Sequence, residues 1–146
     1  MKAYRYVVGF AFDERAEYVL LVHKLKPEWQ RGRLNGIGGK IEPGETPLEA
    51  MDRECLEETG LRLTWVQRGR MSGINNDGSQ FECFVFYAYS DEIYNFEQKE
   101  DEPLTVCFAD AVRQKKTIRN LTFLVPFGRC DDGCAHLEMR YEAAHG

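Results

Sequence analysis

The sequence predicts an α/β fold, a mixed β-sheet held between α-helices. Three observations predict it. Aromatic and β-branched runs at 4–12, 18–23 and 81–89 have the character of strands. A helix over 47–59 is bounded by clear start and stop signals. A second helical segment falls between 110 and 125, among later strands. With 146 residues, the chain is expected to form one domain, 1–146, large enough to bury a sizeable core.

The elements follow in order. Tyr4 to Phe12 is the first strand, and the polar turn at 13–17 leads to a second, Tyr18 to His23, paired with it as a hairpin. Residues 24–34 are irregular and carry Lys24, Lys26, Arg31 and Arg33. Asn35-Gly36-Ile37-Gly38-Gly39 permits close backbone geometry. Thr46 is an N-cap, Pro47 suits the first helical position, Glu49 completes a capping box and Gly60 stops the helix. Arg62 to Ile74 is the next strand, followed by a turn at 75–79. Phe81 to Tyr89 is a core strand, 91–103 an acidic loop and Leu104 to Phe108 a further strand. The second helix is expected to stop at Pro126. His136 to Tyr141 is a last short strand.

Composition narrows the function. Hydrophobic residues make up 43% and charged residues 29%, ordinary for a globular protein. The net charge of −5 gives no global attraction for nucleic acid or anionic membrane. A polyanionic ligand must therefore be held by local basic groups or metal. No apolar run approaches a membrane span, and no signal peptide is evident, so a cytoplasmic protein is expected. The odd cysteine count of five fits reduced thiols. Cys130, Cys134 and His136 lack the fourth ligand of a zinc site.

The densest signal lies between Gly39 and Leu61. Gly39 is followed by five residues, Glu45, seven residues, and then Arg53-Glu54-Cys55-Leu56-Glu57-Glu58-Thr59-Gly60-Leu61. At about 100° per residue, Leu48, Met51 and Cys55 form one stripe, and Glu54, Glu57 and Glu58 an adjoining face. Carboxylates so placed repel, each close pair costing roughly 0.2–0.5 kcal/mol. A hard divalent cation would neutralise them. The plainer alternative is a solvated acidic face with Arg53 paired to Glu57.

This string resembles the Nudix box, the signature of the Nudix hydrolase superfamily. Every fixed position is met except the first aliphatic one, where Cys55 stands. A buried free cysteine packs as a small hydrophobe, so chemistry should survive. The resemblance implies the Nudix fold and a Mg2+ or Mn2+ cofactor. It implies that Glu54, Glu57 and Glu58 are metal ligands, that the Gly38 carbonyl is a further one, and that Arg53 orients a glutamate. Glu45 joins through water or fixes the loop. Lys99-Glu100-Asp101-Glu102-Pro103 looks similar to the loop that supplies another glutamate in MutT-like members, with Glu100 favoured as ligand or base and Glu102 second.

Substrate groups lie outside the box. Asn35 resembles a purine-reading asparagine of the nucleotide-sanitising branch, though asparagine also favours turns. Asn120 stands where relatives place a second base-reading residue, against a helix-cap or surface role. Lys24, Lys26, Arg31 and Arg33 could meet phosphates, at most one or two of the four, and Lys24, Gly39 and Lys40 join the two asparagines as expected substrate-binding residues. Trp29, Phe10 and Phe81 could stack on a base, although core packing suits the two phenylalanines better. The reaction implied is metal-dependent cleavage of a nucleoside diphosphate linkage, foremost a nucleoside triphosphate cut to monophosphate and pyrophosphate. Cleavage of ADP-ribose, other nucleotide sugars, dinucleoside polyphosphates or RNA 5′ ends stays open. So does a non-catalytic nucleotide-binding regulator, although such members typically lose box glutamates. A nucleotide is the expected partner, with no membrane or extended nucleic acid, in a monomer or homodimer.

Overall fold

Strand β1 (Ala3–Phe12) is the axis of the fold. Six consecutive residues from Val7 to Phe12 are buried, as expected of a strand covered on both faces. A computed structural model describes residues 2–130, 133 and 135–142. Its other strands are β2 (Tyr18–His23), β3 (Leu34–Asn35), β4 (Ile37–Lys40), β5 (Val66–Ile74), β6 (Gln80–Tyr89), β7 (Leu104–Phe108) and β8 (Leu137–Tyr141). The helices are α1 (Pro47–Thr59) and α2 (Leu121–Gly128). The sheet runs β3-β2-β1-β6-β5-β8, with β4 paired to β1 and β7 to β2. It is mixed: β1 runs parallel to β6, and β5 parallel to β8, while the other pairs are antiparallel.

Alternating side chains build two cores. Val7, Ala11, Leu20 and Phe86 pack with Met51 and Cys55 of α1 on one face. Val8, Phe10, Phe12 and Val85 pack with Leu121, Leu124 and Val125 of α2 on the other. The expected mixed sheet between helices is therefore present. No helix among the described residues is long and apolar enough to cross a membrane.

The second helix differs from the sequence reading. Ala109–Gln114 is a 3-10 turn, and α2 starts only at Leu121 and runs through Pro126. The chain between them is drawn onto the sheet. Leu34 bridges Thr117, its N–H donates to the Lys116 carbonyl, and Ile118 donates back to Leu34. Pro126 is tolerated because its fixed φ is helical and its missing N–H costs one bond in a short helix. Leu48 is a second correction: it is 45% exposed, whereas Met51 and Cys55 on the same stripe are buried, so the sheet covers only the later part of that stripe. The strand expected from Arg62 starts at Val66, with Trp65 buried just before it. Cys134 lies outside the described residues.

The β1–β2 turn is closed by Asp13, whose carboxylate accepts from Glu17 N at 2.8 Å, Tyr18 N at 3.1 Å and Tyr94 Oη at 2.8 Å. Burial opposes its ionisation, but those hydrogen bonds outweigh it and hold the pKa below 3.8. A carboxylate with a depressed folded pKa stabilises above its unfolded value and loses that contribution as pH falls through the folded one. Asp13→Asn should cost about 1–3 kcal/mol in urea unfolding at pH 7, and the gap to wild type should narrow below pH 3.8. An unchanged gap would assign the loss to shape, not charge. Gly9→Ala tests the joint between β1 and α1. A Cβ there would lie 2.6 Å from Met51 Cε and 2.7 Å from Trp65 Cζ3. Overpacking of this kind should lower stability by about 1–3 kcal/mol, read from the urea midpoint.

Candidate active site

Helix α1 is fixed at both ends by its own residues. Thr46 Oγ1 accepts from Glu49 N at 3.1 Å, and Glu49 Oε1 accepts from Thr46 N at 2.9 Å. Gly60 closes the helix with φ 73°, a conformation open to glycine. These local signals place α1 over the residues expected. Its side chains Ala50, Met51, Cys55, Glu58 and Thr59 are buried.

Arg53 joins the helix to the loop before it. Its Nε and Nη2 grip both oxygens of Glu45, at 2.7 and 3.0 Å. Nη2 also reaches the Lys40 carbonyl at 3.0 Å. Nη1 donates to Glu54 at 3.1 Å and to Glu57 at 3.2 Å. The Glu45 contact leads in raising the arginine pKa, and it lowers that of Glu45. Glu45 also accepts from Glu42 N at 2.8 Å, so it fixes the loop directly.

The three helix carboxylates occupy different depths. Glu57 has a side chain 49% exposed, Glu54 one only 15% exposed, and Glu58 is buried at 6%. Glu58 Oε2 accepts from Gly38 N at 3.2 Å. Gly39 makes room for Glu54: a Cβ there would stand 2.4 Å from its Oε1. Burial, then the neighbouring Glu54, pushes the Glu58 pKa up to about 9, with Lys24 opposing. Burial also raises that of Glu54, against the pull of Arg53.

The acidic loop reaches the same place. Gln98 clasps it, donating to the carbonyls of Glu100 at 2.7 Å and Glu102 at 2.8 Å and accepting from Leu104 N at 2.9 Å. Glu102 is spent on structure. It accepts from Lys24 Nζ at 2.8 Å, Leu25 N at 2.7 Å and Lys26 N at 3.3 Å, and these bonds outweigh burial to lower its pKa. Lys24 is thereby paired. Glu100 lines the cleft with Glu54 and Glu58 and adds to their mutual repulsion.

That cleft has a volume of about 1270 Å3. Lys40, Gly38 and Gly39 line it beside the carboxylates. Lys40 Nζ sits 5.7 Å from the Tyr4 ring centroid. Asn35 and Asn120 line it too. Asn35 is internally satisfied, with Nδ2 donating to Gln30 Oε1 at 3.1 Å and Oδ1 accepting from Gly36 N at 2.8 Å. Asn120 stands at the N-cap of α2 without a capping bond. Its Nδ2 reaches Met71 Sδ at 3.4 Å, and its buried Oδ1 has no hydrogen-bond partner among the described residues. Phe10 is fully buried, whereas Phe81 and Trp29 line the cleft. The roles of Gln98 and Gln30 escaped the sequence, since an amide that ties one loop to itself leaves no spacing signal.

A divalent cation suits this donor chemistry: Glu54, Glu58 and Glu100 supply oxygens, and their crowding and burial leave a charge that a cation would relieve. Among the described residues, however, no three His, Cys, Asp or Glu side chains already converge as a metal cluster. Arg53 engages Glu54 and Glu57, and Gly38 N–H engages Glu58.

Comparison with known proteins agrees with this geometry. The chain matches the NUDIX domain family over residues 3–133. It is 37% identical over 83 residues to the mouse "8-oxo-dGDP phosphatase NUDT18" and 36% identical over the same length to the human protein. Each alignment covers 57% of this chain but only 24% of the relative, so the chain spans about a quarter of those proteins. Among solved structures, the MutT protein of Bacillus halodurans superposes with a TM-score of 0.74 at 25% identity, covering 95% of this chain and 89% of that one. The E. coli ORF135 protein shares the fold, with a TM-score of 0.67 at 21% identity over 86% of this chain and 88% of its own. A glycine-rich strand, an arginine-pinned carboxylate helix and a MutT-like sheet thus meet in one chain, which belongs to the Nudix hydrolase family.

Proposed function

We infer that the protein is a metal-dependent nucleoside triphosphate pyrophosphohydrolase, releasing a nucleoside monophosphate and pyrophosphate. The observation that carries this is the buried Glu58 with Glu54 and Glu100 in the wall of a cleft that Asn35 and Asn120 also line. Bound Mg2+ or Mn2+ would supply charge neutralisation at the diphosphate and a more acidic attacking water. Glu54 and Glu58, with the Gly38 carbonyl, would hold it, and Glu57, half exposed on Arg53, would join them by turning inward. Arg53 keeps Glu54 and Glu57 aimed and ties them to the loop. Glu100 takes the proton of the water that attacks phosphorus. The phosphorus–oxygen bond to the leaving group then breaks, and pyrophosphate departs. Gly39 and Lys40 border the phosphate chain. Lys24 holds the Glu100 loop through Glu102, and meets phosphate only by leaving that pair. The buried thiols Cys55, Cys83 and Cys107 fit a reducing cytoplasm.

The substrate reading extends to oxidised nucleotides. A diphosphate substrate is the second reading, favoured by the 8-oxo-dGDP phosphatase activity for which the mouse and human relatives are named. A panel of canonical and oxidised nucleoside di- and triphosphates, assayed for phosphate and pyrophosphate release with Mg2+, decides between them. Turnover without pyrophosphate release would overturn the triphosphate reading.

Two substitutions test the residue roles. Glu58→Gln should lower kcat by on the order of a hundredfold or more at saturating Mg2+ while the protein stays folded. Turnover within twofold of wild type would remove Glu58 from the reaction. Asn120→Ala should shrink the preference between bases, with each lost hydrogen bond worth about 0.5–1.5 kcal/mol in kcat/KM ratios. An unaltered ratio would place base reading elsewhere.

A further inference from the structure

We propose that Trp29 is the stacking platform for the nucleobase, so that the short turn before β3 helps set substrate affinity. This deepens the nucleotide reading above and rests on it. The indole is 66% exposed. A lone exposed apolar side chain is ordinary and by itself says nothing. Its setting is the argument.

Trp29 lies on the wall of the cleft, between Pro27 and Gln30. The backbone beneath it is firmly tied. Gln30 N donates to Pro27 O at 2.9 Å, Arg31 N to Glu28 O at 3.1 Å and Arg33 N to Gln30 O at 2.9 Å. Lys24 N donates to Arg33 O, and Gly32 N returns to Lys24 O, each at 2.9 Å. Glu102 holds the N–H groups of Leu25 and Lys26. The turn therefore presents a large aromatic surface to solvent on a fixed base, so little ordering entropy opposes a ligand that covers it.

The surrounding groups select the ligand chemistry. An indole face has no charge for a phosphate and no hydrogen-bond donor except Nε1 at its edge. It suits a flat π system. The next residue, Gln30, holds the amide of Asn35. One turn thus carries a stacking face and, through Gln30, fixes the Asn35 amide that shapes the wall of the cleft. The carboxylates that would engage the phosphates stand on other elements lining the cleft, α1 and the acidic loop.

The chain provides its own probe, because it contains two tryptophans. Trp65 is buried at 5%, so exposed tryptophan emission reports Trp29. Titration with GMP, ribose 5-phosphate and pyrophosphate, each with Mg2+, should give saturable quenching by GMP alone. Trp29→Phe should keep KM within a few-fold of wild type. Trp29→Ala should raise KM by roughly tenfold to a hundredfold, the range for losing one base-stacking contact, with kcat within twofold. Quenching by ribose 5-phosphate equal to that by GMP, or an unchanged KM in Trp29→Ala, overturns the proposal. If wild type hydrolyses no nucleotide yet GMP quenches Trp29, the stacking site stands and the proposed reaction falls. If hydrolysis proceeds and GMP does not quench, the reaction stands and the stacking site falls.

Discussion

The site depends on one guanidinium. Arg53 spends its planar fork on Glu45, Glu54, Glu57 and the Lys40 carbonyl at once. Two of those partners, Lys40 at the end of β4 and Glu45 in the loop after it, precede the helix and two belong to α1, so the arginine fixes one segment against the other. A lysine could not replace it, because an ammonium cannot present parallel donors to both oxygens of Glu45. The same fork offsets repulsion between Glu54 and Glu57, which would otherwise be lowest when the helix turned them away from each other.

Glu58 receives none of that help. Among the described residues its one hydrogen bond comes from Gly38 N–H, and Glu54, Glu100 and Glu102 are like-charged neighbours. Burying a carboxylate in this way is costly unless something compensates. The cost makes sense at a place built to receive positive charge, and it makes little sense for a surface helix. The solvated-face alternative accounts for Glu57, which is half exposed and paired with Arg53. It does not account for Glu58.

Local chemistry was readable from the sequence, and long-range pairing was not. The bounds of α1 coincide with Thr46, Pro47, Glu49 and Gly60 because each signal acts within a turn of itself. The break before α2 depends on Leu34 meeting Thr117, which no window around residue 117 contains. Leu48 shares the spacing of Met51 and Cys55, yet only contact with the sheet decides which turn of the stripe is covered. Within the site, the carboxylates were legible from spacing. The commitment of Lys24 to Glu102 was not, since the pair is 78 residues apart.

The two asparagines of the cleft carry unequal energetic weight. For Asn35 to read a base, it must release Gln30 or the Gly36 N–H, exchanging one hydrogen bond for another. Such an exchange is nearly neutral. Asn120 has a buried acceptor with no partner and a contact to sulfur as its other hydrogen bond. An unsatisfied buried oxygen costs about 1–3 kcal/mol, and a ligand donor that meets it once the Asn120 side chain turns into the cleft recovers that cost on binding. Discrimination grows where a wrong ligand leaves a polar group stranded, because the penalty is then charged to that ligand alone. Asn120 is therefore the better placed of the two to separate a base edge that donates from one that only accepts, and Asn35 serves more to shape the wall than to choose what lies against it.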